Sequence, residues 1–140
     1  MLRHLILITI ATLAAATALA QELRGDADAA REGWQLIDRG ALVIDVRSQQ
    51  EFDAGHLEGA LHIPFDQTDE IARAIGEDRQ REVVLYCGSG RRVGIAIDAL
   101  EERGFEALYN ATGLDALRAT RPLWAGRSDA EAPADCRTGC

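Results

Sequence analysis

The chain has 140 residues, with 15 basic and 23 acidic side chains, a formal charge of -8 at pH 7 and 47% hydrophobic residues. That length can bury one real core without disulfides, so a single domain is expected. The negative balance, with no basic stripe interleaved with aromatics, argues against nucleic-acid binding. Every basic residue is Arg and none is Lys, which excludes Schiff-base lysine chemistry.

Residues 1–20 differ in kind from the rest. Arg3 supplies a short positive region, Leu5 to Leu19 is almost wholly apolar, and Ala18, Leu19 and Ala20 form a small-x-small cleavage pattern before Gln21. We read this segment as a signal peptide. A membrane anchor is the alternative, and it needs a longer apolar run of roughly 18 to 20 residues. Cleavage after Ala20 predicts a soluble periplasmic protein, free of the membrane and one positive charge poorer. An anionic ligand must then be attracted by local charge against an unfavourable overall field.

Gln21 to Asp28 reads as an exposed, charged lead-in. From Ala29, the spacing of Ala30, Trp34 and Ile37 predicts a helix that Gly40 ends, with Trp34 in the core. Ala41 to Val46 is a continuous apolar run broken only by Asp45, as expected of a strand covered on both faces. Ser48 to Glu51 has the form of a capping box opening a short helix with Phe52. Asp45, Arg47 and Glu51 therefore cluster where a strand turns into a helix, and we expect them to form a supporting network rather than do chemistry.

Gly55 to Pro64 predicts a turn and a short strand. His56 and His62 lie in it without Cys or further His at ligand spacing, so no metal site is expected. Thr68 is expected to cap a helix with Asp69 and Glu70 in its first turn and Ile71 and Ile75 on its apolar stripe, ending at Gly76. Glu77 to Arg81 reads as a charged surface loop.

Next comes the stretch richest in chemistry. Glu82 to Tyr86 predicts a buried strand, ending on Cys87, Gly88, Ser89, Gly90, Arg91 and Arg92 before helical spacing resumes at Val93, Ile97 and Leu100. Glycines let successive peptide N–H groups turn inward, and the helix start adds the positive end of its dipole to the same concavity. Such a cradle suits an anion, and a thiol at its lip loses its proton more easily. Cys87 is the candidate nucleophile. Of the two arginines, Arg91 is expected to face the cradle, because Arg92 already enters the helix.

Gly104 closes that helix, Phe105 to Tyr109 predicts a last strand, and Gly113 begins a small helix carrying Leu114 and Leu117. Strands alternating with helices predict an α/β fold, a central parallel sheet with helices on both faces. Residues 21–127 are expected to form this domain and residues 128–140 a mobile tail poor in large apolar side chains. The tail holds Cys136 and Cys140. The simplest pairing in an oxidising compartment joins those two and leaves Cys87 free; the competing arrangement brings one of them to Cys87.

Ile44-Asp45-Val46-Arg47 with Glu51-Phe52, then Gly55-His56-Leu57-Glu58-Gly59-Ala60 with Ile63-Pro64, then Val84-Leu85-Tyr86-Cys87 with its glycine and arginine loop, resembles the rhodanese family of sulfurtransferases. The likeness spans roughly Trp34 to Leu117. With the leader, it is nearest to the short periplasmic phage-shock-protein E type. The resemblance implies a parallel sheet flanked by helices and an anionic sulfane donor such as thiosulfate. It implies a persulfide on Cys87, passed to cyanide or a thiol, with no cofactor. It also implies an anion cradle at Gly88, Ser89, Gly90, Arg91 and Arg92, and scaffold roles for Asp45, Arg47, Gly55 and His56.

Three other functions use related parts. Cysteine phosphatases and arsenate reductases place five residues between Cys and Arg, a position that Val93 occupies here. Thiol-disulfide exchange lacks its C-x-x-C pair. A non-catalytic or sulfur-carrier module that hands persulfide to a protein acceptor is the remaining alternative.

Overall fold

The computed structural model describes residues 20, 21, 24–123 and 125. Residues 1–19, read above as part of a signal peptide, and residues 128–140 with Cys136 and Cys140, read as a tail, lie outside the described residues. Helix α1 covers residues 24–38. It is followed by β1 (Leu42–Asp45), α2 (Gln49–Ala54), β2 (Leu61–His62), α3 (Thr68–Ile75), β3 (Val83–Cys87), α4 (Arg91–Glu101), β4 (Leu108–Gly113) and α5 (Leu114–Ala119). The strands form one sheet in the order β2-β1-β3-β4, and every neighbouring pair is parallel.

Strand β3 is central because it is the element apolar on both faces, and all five of its residues are buried. Side chains alternate across a strand, so its two faces feed two separate cores. Val83, Leu85 and Cys87 pack with Ile71, Ile75, Val93 and Leu100 under α3 and α4. Val84 and Tyr86 pack with Ala30, Trp34, Leu114 and Leu117 under α1 and α5. This is the expected parallel sheet with helices on both faces.

Three boundaries differ from the sequence-based expectation. Helix α1 begins before Ala29, inside the stretch read as a lead-in, because Ala27, Ala29 and Ala30 favour helix and Arg31 bridges back to Asp28 at 2.7 Å. Gln67, not Thr68, holds the N-cap position of α3, and it makes no side-chain capping bond. A turn closed by Gln67 N–H on Pro64 O at 2.9 Å delivers the chain already curled. The last strand runs to Gly113 rather than stopping at Tyr109. Phe105 is not in it, since the residue after the left-handed Gly104 (φ 86) plugs the core instead.

Candidate active site

The site forms where β3 stops. A parallel sheet sends the carboxyl ends of its strands to one edge, where loops are free to build a site. Cys87 is the last residue of β3 and only 1% exposed. Gly90 adopts a left-handed φ of 81° as the N-cap of α4, which curls the loop back over the thiol. Its N–H then meets Cys87 Sγ at 3.0 Å, and the N–H of Ser89 meets it at 3.4 Å. Burial pushes the thiol up, but the backbone N–H groups of Ser89, Val93, Arg92 and Gly90 together outweigh it and hold Cys87 below the ordinary thiol value. Ser89 and Gly90 thus turn their N–H groups onto the sulfur.

The two arginines have different surroundings. Arg91, the first residue of α4, is exposed. One helical step further on, Arg92 is half-buried, and its pKa is raised, first by Glu51 and to a lesser degree by the nearby Cys87. Arg92 also donates to both oxygens of Glu51, at 2.7 and 2.8 Å. Glu51 is itself fixed by the capping box, accepting from Ser48 N–H at 3.1 Å and from Ser48 Oγ at 2.9 Å. The Arg92 hydrogen bonds, and then the Ser48 N–H, hold its carboxyl far below the usual carboxylate range. Gly88 lies over this pair, where a Cβ would stand 3.3 Å from Arg92 Nη2.

Asp45 and Arg47 form a buried support. Asp45 is fully buried and Arg47 is 7% exposed. The Arg47 guanidinium donates to Asp45 at 2.6 Å and to the carbonyl of Gly55 at 2.7 Å, tying the end of β1 to the turn after α2. Tyr86 completes the unit. Its ring faces the guanidinium, with 5.8 Å from Arg47 Cζ to the ring centroid, and its hydroxyl accepts the Leu57 N–H at 3.0 Å. His56 stacks on Phe52 with ring centroids 3.7 Å apart, and His62 stacks on the same ring at 4.7 Å. Both histidines also engage backbone carbonyls, His56 that of Phe52 and His62 that of Arg47. They stiffen the scaffold outside the cradle. Among the described residues no group of three His, Cys, Asp or Glu gathers as metal ligands.

The far wall of the cradle was not foreseen. Strand β4 carries an irregularity opposite the end of β3, with Leu85 facing Asn110 but Cys87 facing Gly113. Asn110 donates to Gly90 O at 3.0 Å and accepts from Thr112 N–H at 3.0 Å. Thr112 is bent to a φ of 61°, and its buried Oγ1 has no hydrogen-bond partner. Gly113 lies so close to the loop that a Cβ on it would stand 2.4 Å from Gly88 O. The signal for this wall was the polar Asn110-Ala111-Thr112-Gly113 run, which reads as a loop when considered alone.

A cavity of about 240 Å³ opens beside Gly88, lined by Arg47, Glu51, Gly55, Asp115 and Arg118 among others. A second, of about 350 Å³, meets the loop from the α1 and α5 side at Gly88, Ser89 and Gly113. Both reach the loop that follows Cys87.

A parallel α/β domain whose central strand ends on a cysteine ringed by peptide N–H groups belongs to the class of folds that handle small anions at a thiol. The rhodanese-like domain family matches residues 29–119, and the chain belongs to the rhodanese family. It is 35% identical over 71 residues to thiosulfate sulfurtransferase PspE of Escherichia coli K12, covering 51% of this chain and 68% of that one. It is 33% identical over 89 residues to the tRNA uridine(34) hydroxylase of Escherichia fergusonii, covering 61% of this chain. Against that hydroxylase the chain spans only 25% of the relative's length. Among solved structures, a "rhodanese with anions from E. coli" aligns with a TM-score of 0.51 and 36% identity over 55% of this chain and 91% of that one. The human single-domain sulfurtransferase TSTD1 shares the fold, with a TM-score of 0.53 at 23% identity, covering 65% of this chain and 93% of that one.

Proposed function

We propose that this chain is a thiosulfate sulfurtransferase that carries sulfur as a persulfide on Cys87. The observation that carries this reading is the Gly90 N–H at 3.0 Å from Cys87 Sγ, joined by Ser89 at 3.4 Å. Donors already aimed at the sulfur hold it as thiolate and need no rearrangement when the anion arrives. The thiolate attacks the outer sulfur of thiosulfate. The donor S–S bond breaks, a new S–S bond forms on Cys87, and sulfite leaves with the electron pair. Cyanide then takes the outer sulfur as thiocyanate, or a thiol takes it as a persulfide, and Cys87 thiolate returns. The burial of Cys87 favours a small donor with a protruding terminal sulfur. The named activity of the PspE relative supports the same donor.

The apolar leader of residues 1–20 and the Ala18-Leu19-Ala20 pattern support export to the periplasm, with Gln21 as the mature N-terminus. The deciding experiment is intact-protein and peptide mass spectrometry after thiosulfate. One added sulfur atom on the Cys87 peptide, removed by cyanide, is the expected result. An unmodified Cys87 in fully reduced protein rejects the assignment.

A further inference from the structure

The cavity beside Gly88 brings Arg47 and Arg118 together, with Arg92 behind its Glu51 wall, and only one of these three guanidiniums is uncommitted. Arg47 spends its hydrogen bonds on Asp45 and Gly55 O. Arg92 is engaged on both sides of Glu51. Each of those positive charges is cancelled by a carboxylate in direct contact. The Arg118 guanidinium, on the exposed side of α5, makes no hydrogen bond or ion pair with any described residue. Asp115 lines the same cavity one helical turn earlier and is not paired with it.

The position of Arg118 is set by a specific absence. Its guanidinium lies across the bare Cα of Gly55, where a Cβ would stand 2.6 Å from Nη2. Gly55 thus accepts Arg47 on its carbonyl and admits Arg118 over its Cα, so the guanidinium lies in the cavity wall. An acidic chain that works on a dianion needs local positive charge that is not already neutralised. The loop N–H groups serve the sulfur and the Arg92 charge is shared with Glu51.

We propose that Arg118 is the donor-recognition residue, binding the oxygen end of an anionic sulfane donor of the thiosulfate class. This deepens the sulfur-transfer reading above and rests on it. Arg118 takes no part in the bond changes. It holds the sulfonate oxygens through its planar fork, with the outer sulfur left to face Cys87, and it stays with the sulfite that departs.

Sulfur transfer through a persulfide is a two-stage reaction, so kcat/KM for each substrate reports its own half. Arg118→Gln should lower kcat/KM for thiosulfate about 10-fold or more, as expected for a lost charged hydrogen bond, and leave kcat/KM for cyanide unchanged. Arg118→Lys should recover part of the loss. Arg121→Gln removes the same net charge just beyond α5 and should leave both values unchanged. A second readout does not depend on turnover. Sulfite should protect the reduced Cys87 peptide from iodoacetamide, and Arg118→Gln should raise the protecting concentration by a similar factor. Protection that depends on Arg118 supports the inference even if thiosulfate yields no persulfide, in which case the sulfur-transfer reading alone fails. Persulfide formation at wild-type kcat/KM in Arg118→Gln, equal losses in Arg121→Gln, or no protection in the wild type overturns it.

Discussion

The Glu51 carboxylate faces the Arg92 guanidinium through two hydrogen bonds of 2.7 and 2.8 Å, clamping the start of α2 to the start of α4 directly beside Cys87. An unpaired arginine on the first turn of a helix would sample many rotamers. Here the capping box fixes Glu51, and Glu51 fixes Arg92 near Cys87.

Arg92→Ala should therefore slow persulfide formation from thiosulfate by about 10²- to 10³-fold, the usual cost of removing one donor aimed at developing charge. Arg91→Ala should stay close to wild type. Glu51→Gln, which keeps shape but releases the clamp, should fall between them. Stopped-flow or quenched mass spectrometry of the first half-reaction separates the three variants. Equal effects at Arg91 and Arg92 would show that the Arg92 guanidinium plays no part at the sulfur.

Cys87→Ser should abolish transfer and leave the fold intact. A serine hydroxyl is far less acidic than a thiol and cannot hold a persulfide. The residue is buried beneath its own loop, so an isosteric change disturbs little. Thiosulfate:cyanide activity and circular dichroism of the same sample provide the check.

The lowered Cys87 thiol predicts a pH profile. The reactive thiolate is present above its pKa and is lost as pH falls through it, so alkylation by iodoacetamide should have its midpoint below the usual thiol value of about 8.5. The depressed group also stabilises the fold above the unfolded thiol value, and that contribution declines as pH falls toward the folded one. Glu51 follows the same sign at acid pH. Its contribution is complete above the usual carboxylate value of about 4.3 and is lost only as pH falls well below it. A Cys87 midpoint at or above the ordinary thiol value would count against the cradle. Peptide-resolved mass spectrometry keeps Cys136 and Cys140 out of the measurement.

The pair Asp45 and Arg47 should behave as a unit. Arg47→Met strands a fully buried carboxylate and should cost about 3–5 kcal/mol. Combining it with Asp45→Asn should cost clearly less than the sum of the two single changes, because neither charge is then left alone. Urea unfolding of both single variants and the double variant measures the coupling, and simple additivity would contradict it.

Local patterns made much of this architecture legible from sequence. The apolar runs of β1 and β3, the Ser48 to Glu51 capping box and the glycine pattern after Cys87 each carry their structure within a few residues, and each is where the pattern places it. What escaped depends on partners distant in the chain. Arg92, and not Arg91, pairs with Glu51, 41 residues away in sequence. Nothing near Arg118 announces that Gly55 leaves room for it. Asn110 and Thr112 look like loop residues because they are polar, yet their polarity serves the back of the Cys87 loop. The residues that complete the site thus obey tertiary demands rather than periodicity.

Thr112 and Gly113 sharpen that point, because neighbouring substitutions there should have opposite signs. Thr112 holds a φ of 61°, which costs a β-branched residue roughly 1–3 kcal/mol, and its buried hydroxyl has no partner. Thr112→Gly removes both penalties and loses only a small side chain, so it should raise stability by about 1 kcal/mol. Gly113 has an ordinary extended backbone, with φ -109° and ψ 151°, so no conformational argument requires glycine there. Space does, because an added methyl would stand 2.4 Å from the carbonyl of Gly88, and a backbone oxygen cannot swing aside as a side chain can. Gly113→Ala must push the loop away from β4, costing about 1–3 kcal/mol as overpacking does. That displacement moves the N–H groups that face Cys87, so persulfide formation should slow along with the loss of stability. Thermal unfolding and first-half-reaction rates for both variants test the contrast. A Gly113→Ala protein of wild-type stability and rate would show that the loop does not rest on β4 as described.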